Sequence, residues 1–411
     1  MHISKTVAVI GQGYVGLPLS MAAFDSGWTV LGIDNLDAKV DQINLGISPI
    51  EDVTDAKLKL ALSTSSYRAT TDFSLVSSAS VIVICVPTPL DENLEPDLSF
   101  LQNAITSLSR YVANGTLIIS ESTSYPGTLN EFIIPLFDSL KSNACEDVYF
   151  AVAPERVNPG DAIWNLKNIP RLVGGINNES KTRAVDFYNS ICDVVVTVST
   201  PEVAEAAKLL ENTYRLVNIA MVNEFAQLCS KAKLNTSEII AAASTKPYGF
   251  TAFWPGVGVG GHCIPVDPMY LTSWAKRYGG KTELIELANS INQFMPKFVA
   301  ERALSIISKK VKNPKILILG VAYKPGTGDT RNTPTSELRK HLEANGAIVA
   351  WNDPFVKVWE GTVPVDLEWP YDLAILTIKQ PNLNLDKLFL TEKYILDCTN
   401  TLSGSPRVVS L

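Results

Sequence analysis

Residues 5–34 read KTVAVIGQGYVGLPLSMAAFDSGWTVLGID, and this stretch decides the fold class. Residues 5–10, with the apolar run at residues 7–10, predict a buried parallel strand. The sequence Gly11-Gln12-Gly13-Tyr14-Val15-Gly16 follows as a G-x-G-x-x-G turn and leads into a helix that ends near Ser26. Residues 29–33 predict a second strand that ends at Asp34. A strand, a glycine turn, a helix and a strand in this order indicate a Rossmann-type α/β unit.

The glycine turn and Asp34 predict a dinucleotide site. Gly11 permits the tight turn, Gly13 lets a pyrophosphate approach, and Gly16 lets the helix pack closely on the strand. The helix N-terminus attracts phosphate through its N–H groups and its dipole. A carboxylate at Asp34 can accept the adenosine ribose hydroxyls and repels a 2′-phosphate, and Asn35 supplies no cation. We therefore expect NAD rather than NADP. The alternative is a strand–turn–helix without a ligand.

Three further predicted strands end in polar residues. Residues 81–86, 115–120 and 149–152 are apolar runs, and Thr88, Thr123 and Glu155 follow their carboxyl ends. Ligands collect at this edge of an open parallel sheet, so these three side chains are candidates for the site. The two threonines could instead cap helices, and Glu155 could belong to a structural ion pair.

The middle of the chain predicts one long helix. Residues 201–232 have a helical pattern with Thr200 as the candidate N-cap, and about 30 residues span roughly 45 Å. A helix of this length suits a link between domains and a contact with a second subunit, so we expect a homodimer through residues 201–232. Lys208 and Asn212 are four residues apart and share a face. Lys208 could be a solvated lysine, but its neighbours are largely apolar.

The predicted fold class is α/β, with two Rossmann-like doubly wound domains joined by the long central helix and a helical middle region. We expect an NAD-binding domain at residues 1–200, the central helix and a helical dimerisation region at residues 201–310, and a C-terminal Rossmann-like nucleotide-sugar-binding domain at residues 311–411. The C-terminal domain lacks a G-x-G-x-x-G turn. Its first loop offers Lys324 and Arg331 as a phosphate grip, unless both are ordinary surface cations.

Residues 255–268, PGVGVGGHCIPVDP, combine four glycines with a thiol at Cys263 and a carboxylate at Asp267. Such a stretch suits backbone that takes positive φ angles or passes close to another group, although it could be a plain surface loop. A thiol beside NAD can capture a carbonyl, so that an alcohol passes through a thiohemiacetal and a thioester to an acid. Lys208 and Asn212 would then stabilise charge on oxygen, and Asp267 or Glu155 would move protons.

Composition narrows the class of protein. The net charge of −7 and the lack of a dense Lys/Arg block argue against binding to nucleic acid or to anionic membranes. No apolar run reaches the roughly 20 residues of a membrane span. The six cysteines show no metal-ligand spacing, so we expect no metal. The N-terminus runs directly into a strand, so we expect no signal peptide, a cytoplasmic location and free thiols.

Seven motifs in order, GQGYVG, CVPTP, ESTSYPGT, APERVNPG, AKLLENTYR, PGVGVGGHCIPVDP and YKPGTGDTR, resemble those of the UDP-glucose/GDP-mannose dehydrogenase family across essentially the whole chain. The resemblance implies oxidation of a sugar-nucleotide CH2OH to a carboxylate with two NAD. It assigns the catalytic roles to Cys263, Lys208, Asn212, Asp267, Glu155 and Thr123. It assigns NAD binding to Gly11, Gly13, Tyr14, Val15, Gly16, Asp34, Thr88 and Thr123. It assigns substrate binding to Glu155, Arg156, Lys208, Asn212, Gly260, Tyr323, Lys324 and Arg331.

One departure bears on the substrate. Val266 stands where enzymes acting on UDP-glucose commonly have a lysine, and HCIPVDP is similar to the branch that acts on UDP-N-acetylhexosamines. We therefore expect UDP-N-acetylglucosamine, with its mannosamine epimer possible, before UDP-glucose or GDP-mannose. A two-electron dehydrogenase of a hydroxy acid and a non-catalytic NAD-sensing protein are the alternatives.

Overall fold

The computed structural model describes residues 5–142, 145, 147–157, 163–307, 310–389, 391, 393–402 and 405–411. Residues 158–160 of the APERVNPG motif and residues 1–4 of the expected first domain lie outside the described residues. The chain divides into two compact units, Met1–Glu211 with Met269–Gly279 and Asn212–Pro268 with Gly280–Leu411. The predicted division into three domains remains a prediction.

The first unit is built on an eight-stranded sheet in the order β3-β2-β1-β4-β5-β6-β7-β8. Its strands are β1 (Thr6–Ile10), β2 (Thr29–Ile33), β3 (Tyr67–Thr70), β4 (Val81–Ile84), β5 (Leu117–Ser120), β6 (Tyr149–Val152), β7 (Arg171–Gly175) and β8 (Val195–Thr197). Neighbouring strands are parallel except β6 and β7, which are antiparallel. The strand order reverses between β1 and β4, and ligands of such sheets bind at this switch point.

Helices cover both faces of this sheet. They are α1 (Gly16–Asp25), α2 (Asp37–Asn44), α3 (Asp55–Ser63), α4 (Ser99–Leu108), α5 (Ile134–Leu140) and α6 (Asn178–Asn189). Alternate residues of β1 enter different cores, Val7 and Val9 on one face and Ala8 and Ile10 on the other. A strand buried on both faces needs an uninterrupted apolar run, which residues 7–10 supply.

The long helix α7 (Pro201–Ala232) has the predicted bounds. It is followed by α8 (Thr236–Ala243), α9 (Asp267–Arg277) and α10 (Glu283–Ile306). Within the described part of the chain, no helix combines the length and the apolar character that crossing a bilayer requires.

The second unit contains a five-stranded parallel sheet in the order β10-β9-β11-β12-β13. Its strands are β9 (Lys315–Leu319), β10 (Ile348–Asn352), β11 (Leu373–Leu376), β12 (Tyr394–Asp397) and β13 (Val408–Ser410), and its remaining helices are α11 (Pro334–Ala344) and α12 (Asp386–Phe389). Two doubly wound parallel sheets confirm the predicted α/β fold class.

The first strand of each sheet, β1 or β9, is followed by a glycine whose N–H bonds to the neighbouring strand, but the loops beyond these glycines differ. Gly11 N–H donates to the carbonyl of Ile33 at 2.7 Å, and Gly320 N–H donates to that of Asn352 at 2.9 Å. After Gly320, however, Asp353 is buried and its Oδ2 accepts the N–H groups of Val321 at 2.9 Å and Ala322 at 3.2 Å. This carboxylate, which follows β10, is occupied by the loop after β9, which agrees with the absence of a dinucleotide motif there.

Candidate active site

The glycine turn after β1 has the form of a phosphate cradle. Gly11 has φ +92°, and a Cβ added there would lie 2.7 Å from the carbonyl oxygen of Cys85. A Cβ on Gly16 would lie 1.8 Å from the carbonyl oxygen of Gly11, so the helix packs on the turn itself. A Cβ on Gly13 would meet no atom within 4 Å. Gly11 and Gly16 are therefore required by the fold, whereas Gly13 faces open space that suits the close approach of a pyrophosphate.

The rest of this turn also fits a dinucleotide. Val15 stands at the N-cap of α1 and makes no side-chain cap hydrogen bond, so the first N–H groups of the helix are not used by a capping side chain there. The hydroxyl of Tyr14 donates to Glu51 at 3.2 Å, which ties the turn to the segment before α3.

Asp34 directly follows β2, is 5% exposed, and already accepts three hydrogen bonds. Its Oδ2 accepts the N–H of Gln12 at 2.9 Å and the ammonium of Lys39 at 2.8 Å, and its Oδ1 accepts the N–H of Leu36 at 3.2 Å. Each carboxylate oxygen has two acceptor sites, so one site on Oδ1 remains for a ribose hydroxyl. Lys39, and not Asn35, is the cation beside Asp34, and its position in the first turn of α2, five residues after Asp34, is the sequence signal for this contact.

Thr88 and Thr123 lie beyond the carboxyl ends of β4 and β5, as predicted. Thr88 is buried and Thr123 is half-buried. The helical segments that follow them have Leu98 and Thr128 as their N-cap residues, so neither threonine caps those segments. Both remain candidates to contact the cofactor at the sheet edge.

Glu155, beyond β6, belongs to a buried ionic cluster. Nη2 of Arg171 lies 2.9 Å from Oε2 of Glu155, and Nη1 of Arg171 lies 3.4 Å from Oε2 of Glu121. The hydroxyl of Tyr188 donates to Oε1 of Glu121 at 2.5 Å. The ion pair that was the alternative for Glu155 therefore exists, but its partner is Arg171, and neither Arg171 nor Glu121 was predicted from the sequence.

The two carboxyl groups of this cluster differ in pKa. Burial raises the pKa of Glu121 to about 7, against the opposing charge of Arg171. Burial also acts to raise the pKa of Glu155, but Arg171, the N–H of Val157 and the charge of Lys208 outweigh it and hold that pKa below its ordinary value. Glu155 is therefore the anionic member of the pair at neutral pH.

Arg156 and Lys208 have distinct environments in the first unit. The guanidinium of Arg156 pairs with Glu211, with Nη2 2.6 Å from Oε1, and Nη1 donates to the carbonyl of Pro170 at 2.7 Å. Lys208 is 8% exposed, so it is not the solvated lysine that the alternative required. Lys208 therefore places a buried cation on the face of α7 that also carries Asn212, one helical turn later.

The glycine-rich loop presents the thiol. Cys263 is exposed, whereas the other five cysteines are buried or half-buried. The carbonyl of Cys263 accepts the N–H of Asp267 at 2.9 Å, which joins the loop to the first turn of α9. Oδ2 of Asp267 accepts a hydrogen bond of 2.5 Å from Nδ2 of Asn212, and both side chains are buried. The second unit thus brings Cys263, Asp267 and Asn212 together.

The loop glycines are required by close packing. A Cβ on Gly260 would lie 2.8 Å from Cδ of Pro334 and 2.9 Å from Cβ of Tyr323. Gly261 has φ +81°, and a Cβ there would lie 2.7 Å from the ring of Tyr323. Nδ2 of Asn332 donates to the carbonyl of Gly261 at 3.2 Å. The thiol loop therefore packs on the loop between β9 and α11, and both reasons expected of a glycine-rich stretch apply: close approach at Gly260 and Gly261, and a positive φ at Gly261.

The two candidate phosphate-binding cations differ. Nζ of Lys324 lies 5.5 Å from the centre of the Tyr323 ring. Arg331 is exposed but paired with Asp329, with Nη2 2.6 Å from Oδ2 and Nε 2.9 Å from Oδ1. Asp329 thereby holds the guanidinium in one orientation, which favours recognition of an anion by a fixed fork.

The predicted residues are distributed over both units. The first unit holds the candidates Gly11, Gly13, Tyr14, Val15, Gly16, Asp34, Thr88, Thr123, Glu155, Arg156 and Lys208. The second unit holds Asn212, Gly260, Cys263, Asp267, Tyr323, Lys324 and Arg331.

Comparison with known proteins covers nearly the whole chain. Three domain models of the UDP-glucose/GDP-mannose dehydrogenase family match: the NAD binding domain at residues 5–192, the central domain at residues 202–294 and the UDP binding domain at residues 317–402. The chain is 35% identical over 408 residues to the UDP-N-acetyl-D-mannosamine dehydrogenase of Pyrococcus horikoshii, covering 97% of this chain and 96% of the relative. It is 33% identical over 417 residues to the UDP-N-acetyl-D-glucosamine 6-dehydrogenase of Pseudomonas aeruginosa, covering 95% and 97%.

A solved structure of the UDP-D-ManNAc dehydrogenase from Pyrococcus horikoshii superposes with a TM-score of 0.87 at 33% identity, covering 98% of both chains. The expected cofactor, NAD, is confirmed by the matched NAD binding domain, and the predicted family is confirmed by all three models. This chain belongs to the UDP-glucose/GDP-mannose dehydrogenase family and is an NAD-dependent nucleotide-sugar dehydrogenase.

Proposed function

We propose that this protein oxidises the C6 hydroxymethyl group of a UDP-N-acetylhexosamine to the uronate in two successive steps, with Cys263 as the nucleophile. The observation that carries the proposal is the exposed thiol of Cys263, joined through Asp267 to the buried amide of Asn212. A plain alcohol dehydrogenase needs no such thiol, whereas covalent capture of an aldehyde does.

The residues divide the chemistry as follows. NAD, when bound, accepts a hydride in each of the two oxidations. The thiolate of Cys263 adds to the C6 aldehyde and forms a thiohemiacetal, which becomes a thioester after the second oxidation. Lys208 and Asn212 stabilise negative charge on the C6 oxygen. Water then attacks the thioester, the carbon–sulfur bond breaks, and the thiolate leaves as the uronate forms.

Proton transfer falls to the carboxylates. Glu155 or Asp267 accepts the proton of the attacking water, and Thr123 helps to place that water. The overall reaction converts R–CH2OH, two NAD+ and one water into R–COO−, two NADH and three protons. Tyr323, Lys324 and Arg331 hold the nucleotide part of the substrate.

The choice of an N-acetylhexosamine rests on Val266 and on the activities for which relatives are named. A buried valine in place of a lysine removes a cation and leaves an apolar side chain before Asp267. Relatives that match over most of their length act on UDP-N-acetyl-D-mannosamine and on UDP-N-acetyl-D-glucosamine. We propose UDP-N-acetylglucosamine first and UDP-N-acetylmannosamine second.

The mechanism is tested by counting NADH in a single turnover. The wild type should form two NADH per sugar without free aldehyde, and Cys263→Ser should fail to complete the oxidation to acid. Cys229→Ser, which removes a buried thiol of the same unit, is the control and should keep the two-NADH stoichiometry. Oxidation to the acid at a normal rate by Cys263→Ser would contradict the thioester mechanism.

The substrate is tested by NADH formation with UDP-glucose, UDP-N-acetylglucosamine, UDP-N-acetylmannosamine and GDP-mannose. A clear preference for UDP-glucose or GDP-mannose would remove the N-acetylhexosamine proposal. A single NADH per substrate would favour a two-electron dehydrogenase, and NAD binding without turnover of any of the four sugars would favour an NAD-sensing protein.

A further inference from the structure

The direction of β7 brings a buried arginine to the sheet edge that carries Glu155. Since β7 is antiparallel to β6, its first residue, Arg171, lies where β5 and β6 end. Glu121 follows β5 and Glu155 follows β6, so the guanidinium can contact a carboxylate from each strand. Nη1 of Arg171 also donates to the carbonyl of Pro154 at 3.3 Å, which fixes the guanidinium against the backbone before Glu155.

The two carboxyl groups of this cluster do not face the same positive charge. Arg171 and Glu121 are each 1% exposed, and the side chain of Glu155 is 12% exposed. The charges of Arg171 and Lys208 both act on Glu155, whereas Glu121 has the charge of Arg171 at 3.4 Å, so an ionised Glu121 away from water would be costly. The least costly arrangement keeps a proton on one carboxyl group.

The donors around each carboxyl group indicate where that proton resides. Oε1 of Glu155 accepts the N–H of Arg156 at 2.6 Å and that of Val157 at 2.5 Å, while Oε2 accepts Nη2 of Arg171 at 2.9 Å. Three donors stabilise the anion at Glu155. Glu121 has one donor at short range, the hydroxyl of Tyr188 at 2.5 Å, and its contact with Arg171 is longer. The proton therefore belongs on Glu121.

The backbone and Arg171 donors leave one further acceptor site on Glu155. Both sites on Oε1 are used, and one of the two on Oε2 is used by Arg171. The side chain of Glu121 also forms a hydrogen bond with Glu155, so a water molecule bound at Oε2 lies beside both the guanidinium and the proton of Glu121. Other titratable groups that act on Glu121 or Glu155 are Cys85 beyond β4, Tyr188 on α6, Cys192 after α6 and Lys208 on α7.

We propose that Arg171 is a positioning residue for Glu155. It keeps Glu155 anionic and orients it so that Oε2 accepts the proton of the hydrolytic water. Glu121 stays protonated and therefore does not compete with Glu155 for the positive charge of Arg171. This inference rests on the proposed function, in which a carboxylate activates water for hydrolysis of the Cys263 thioester. The pKa directions of Glu121 and Glu155 agree with this division.

The first experiment measures the pH dependence of thioester hydrolysis in Arg171→Lys. A lysine ammonium cannot contact both carboxyl groups at once. The pKa that governs the acid limb of the pH–rate profile, which we assign to Glu155, should therefore rise by roughly one pH unit. The KM for the sugar nucleotide should stay close to that of the wild type, because Arg171 contacts no substrate in this scheme. Arg183→Lys, an arginine of α6 that pairs with Glu179 near the surface, is the matched control and should keep the wild-type profile.

The second experiment needs no arginine variant and no catalysis. Infrared spectra of the wild type and of Glu121→Gln at pH 6 should differ by one band of a protonated carboxyl group, lost in the variant. Bands from other carboxyl groups, including the buried Glu205, occur in both spectra and cancel. If Arg171→Lys fails to fold, this difference spectrum decides where the proton resides.

The outcomes separate this inference from the proposed function. The inference would be overturned if a folded Arg171→Lys variant kept the wild-type pKa for the acid limb of its pH–rate profile. It would also be overturned if Glu121→Gln lost no infrared band of a protonated carboxyl group. Wild-type thioester hydrolysis in Glu155→Gln would instead remove Glu155 from the proposed mechanism. If the wild type failed to form two NADH per sugar, the proposed function would be overturned. The infrared result would still show whether Glu121 is protonated.

Discussion

The amide of Asn212 donates a 2.5 Å hydrogen bond to Oδ2 of Asp267, and both side chains are almost completely buried. This contact ties α7 to the first turn of α9, and thus to the backbone carbonyl of Cys263. Asn212 was expected to stabilise an oxyanion. In the structure one of its two N–H groups orients a carboxylate, which leaves the other for an oxygen of the substrate.

Replacing Asn212 with Asp should damage both stability and activity. A second carboxylate against Asp267 brings like charges together and removes the donor, so we expect the free energy of unfolding to fall by about 2–4 kcal/mol. We expect kcat to fall about a hundredfold. Denaturant unfolding and steady-state kinetics measure the two effects. Asn218→Asp is the control, since Asn218 donates only to the carbonyl of Tyr214 on the same helix. A wild-type kcat in Asn212→Asp would contradict the assigned role.

Alanine substitutions in the thiol loop should depend on position. Gly260→Ala would force a Cβ against Pro334 and Tyr323, so the loop should shift and kcat should fall at least about tenfold. Gly256→Ala is the control, because its Cβ would meet only the carbonyl oxygen of Cys398 at 3.9 Å. Kinetics and thermal melting of both variants check this. Equal activity of the two variants would show that the close packing of Gly260 does not matter for catalysis.

The glycines of the NAD turn should separate binding from folding. Gly13→Ala adds a methyl group into open space, so the melting temperature without NAD should hardly change while the KM for NAD rises about tenfold or more. Gly16→Ala places a Cβ 1.8 Å from a backbone oxygen and should destabilise the protein even without NAD. Melting curves with and without NAD compare the two. Loss of stability in Gly13→Ala without NAD would mean that this glycine serves the fold.

A buried carboxyl group in α7 should make stability depend on pH. Glu205 accepts the N–H groups of Gly127 at 2.7 Å and Leu129 at 3.2 Å, yet burial raises its pKa to about 8. The folded state therefore holds a proton that the unfolded state releases near pH 4.5. Stability from this group is complete below that pH and is lost as the pH rises towards 8.

Glu205→Gln should remove this dependence, because an amide does not titrate. The difference in free energy of unfolding between wild type and variant should fall by on the order of 1 kcal/mol per pH unit between about pH 5 and 8. Urea unfolding across this range measures it. Glu202→Gln, one turn earlier and with a lowered pKa, is the control and should show no such fall. A constant difference for Glu205→Gln would contradict the prediction.

The exposed side of α7 supports the expected homodimer. Six large apolar side chains are exposed at spacings of 7, 4, 7, 4 and 3 residues: Val203, Leu210, Tyr214, Met221, Phe225 and Leu228. These spacings place them on one stripe of the helix, which favours pairing with another helix. Sedimentation should find a dimer for the wild type and monomers for Phe225→Asp. Arg215→Ser, off the stripe, should remain dimeric, and a monomeric wild type would contradict the proposal.

Much of the fold could be predicted from the sequence because its signals are local. The strands at residues 29–33 and 149–152 and the helix at residues 201–232 have the predicted bounds. The strands β3, β7, β8 and β13 were not predicted. They are short or lie near a sheet edge, and their pairing comes from neighbours that are distant in the chain.

The sequence by itself determined the elements whose chemistry is carried within a few residues: the glycine turn before α1, Asp34 at a strand end, and a thiol four residues before a carboxylate. Only the tertiary structure decided which side chains these groups meet. Arg171 reaches Glu121 and Glu155 because β7 runs antiparallel to β6, and no local periodicity encodes the direction of a strand. Packing and the cost of burying unpaired charge act between residues far apart in the chain, so those contacts could be known only once the sheet was formed.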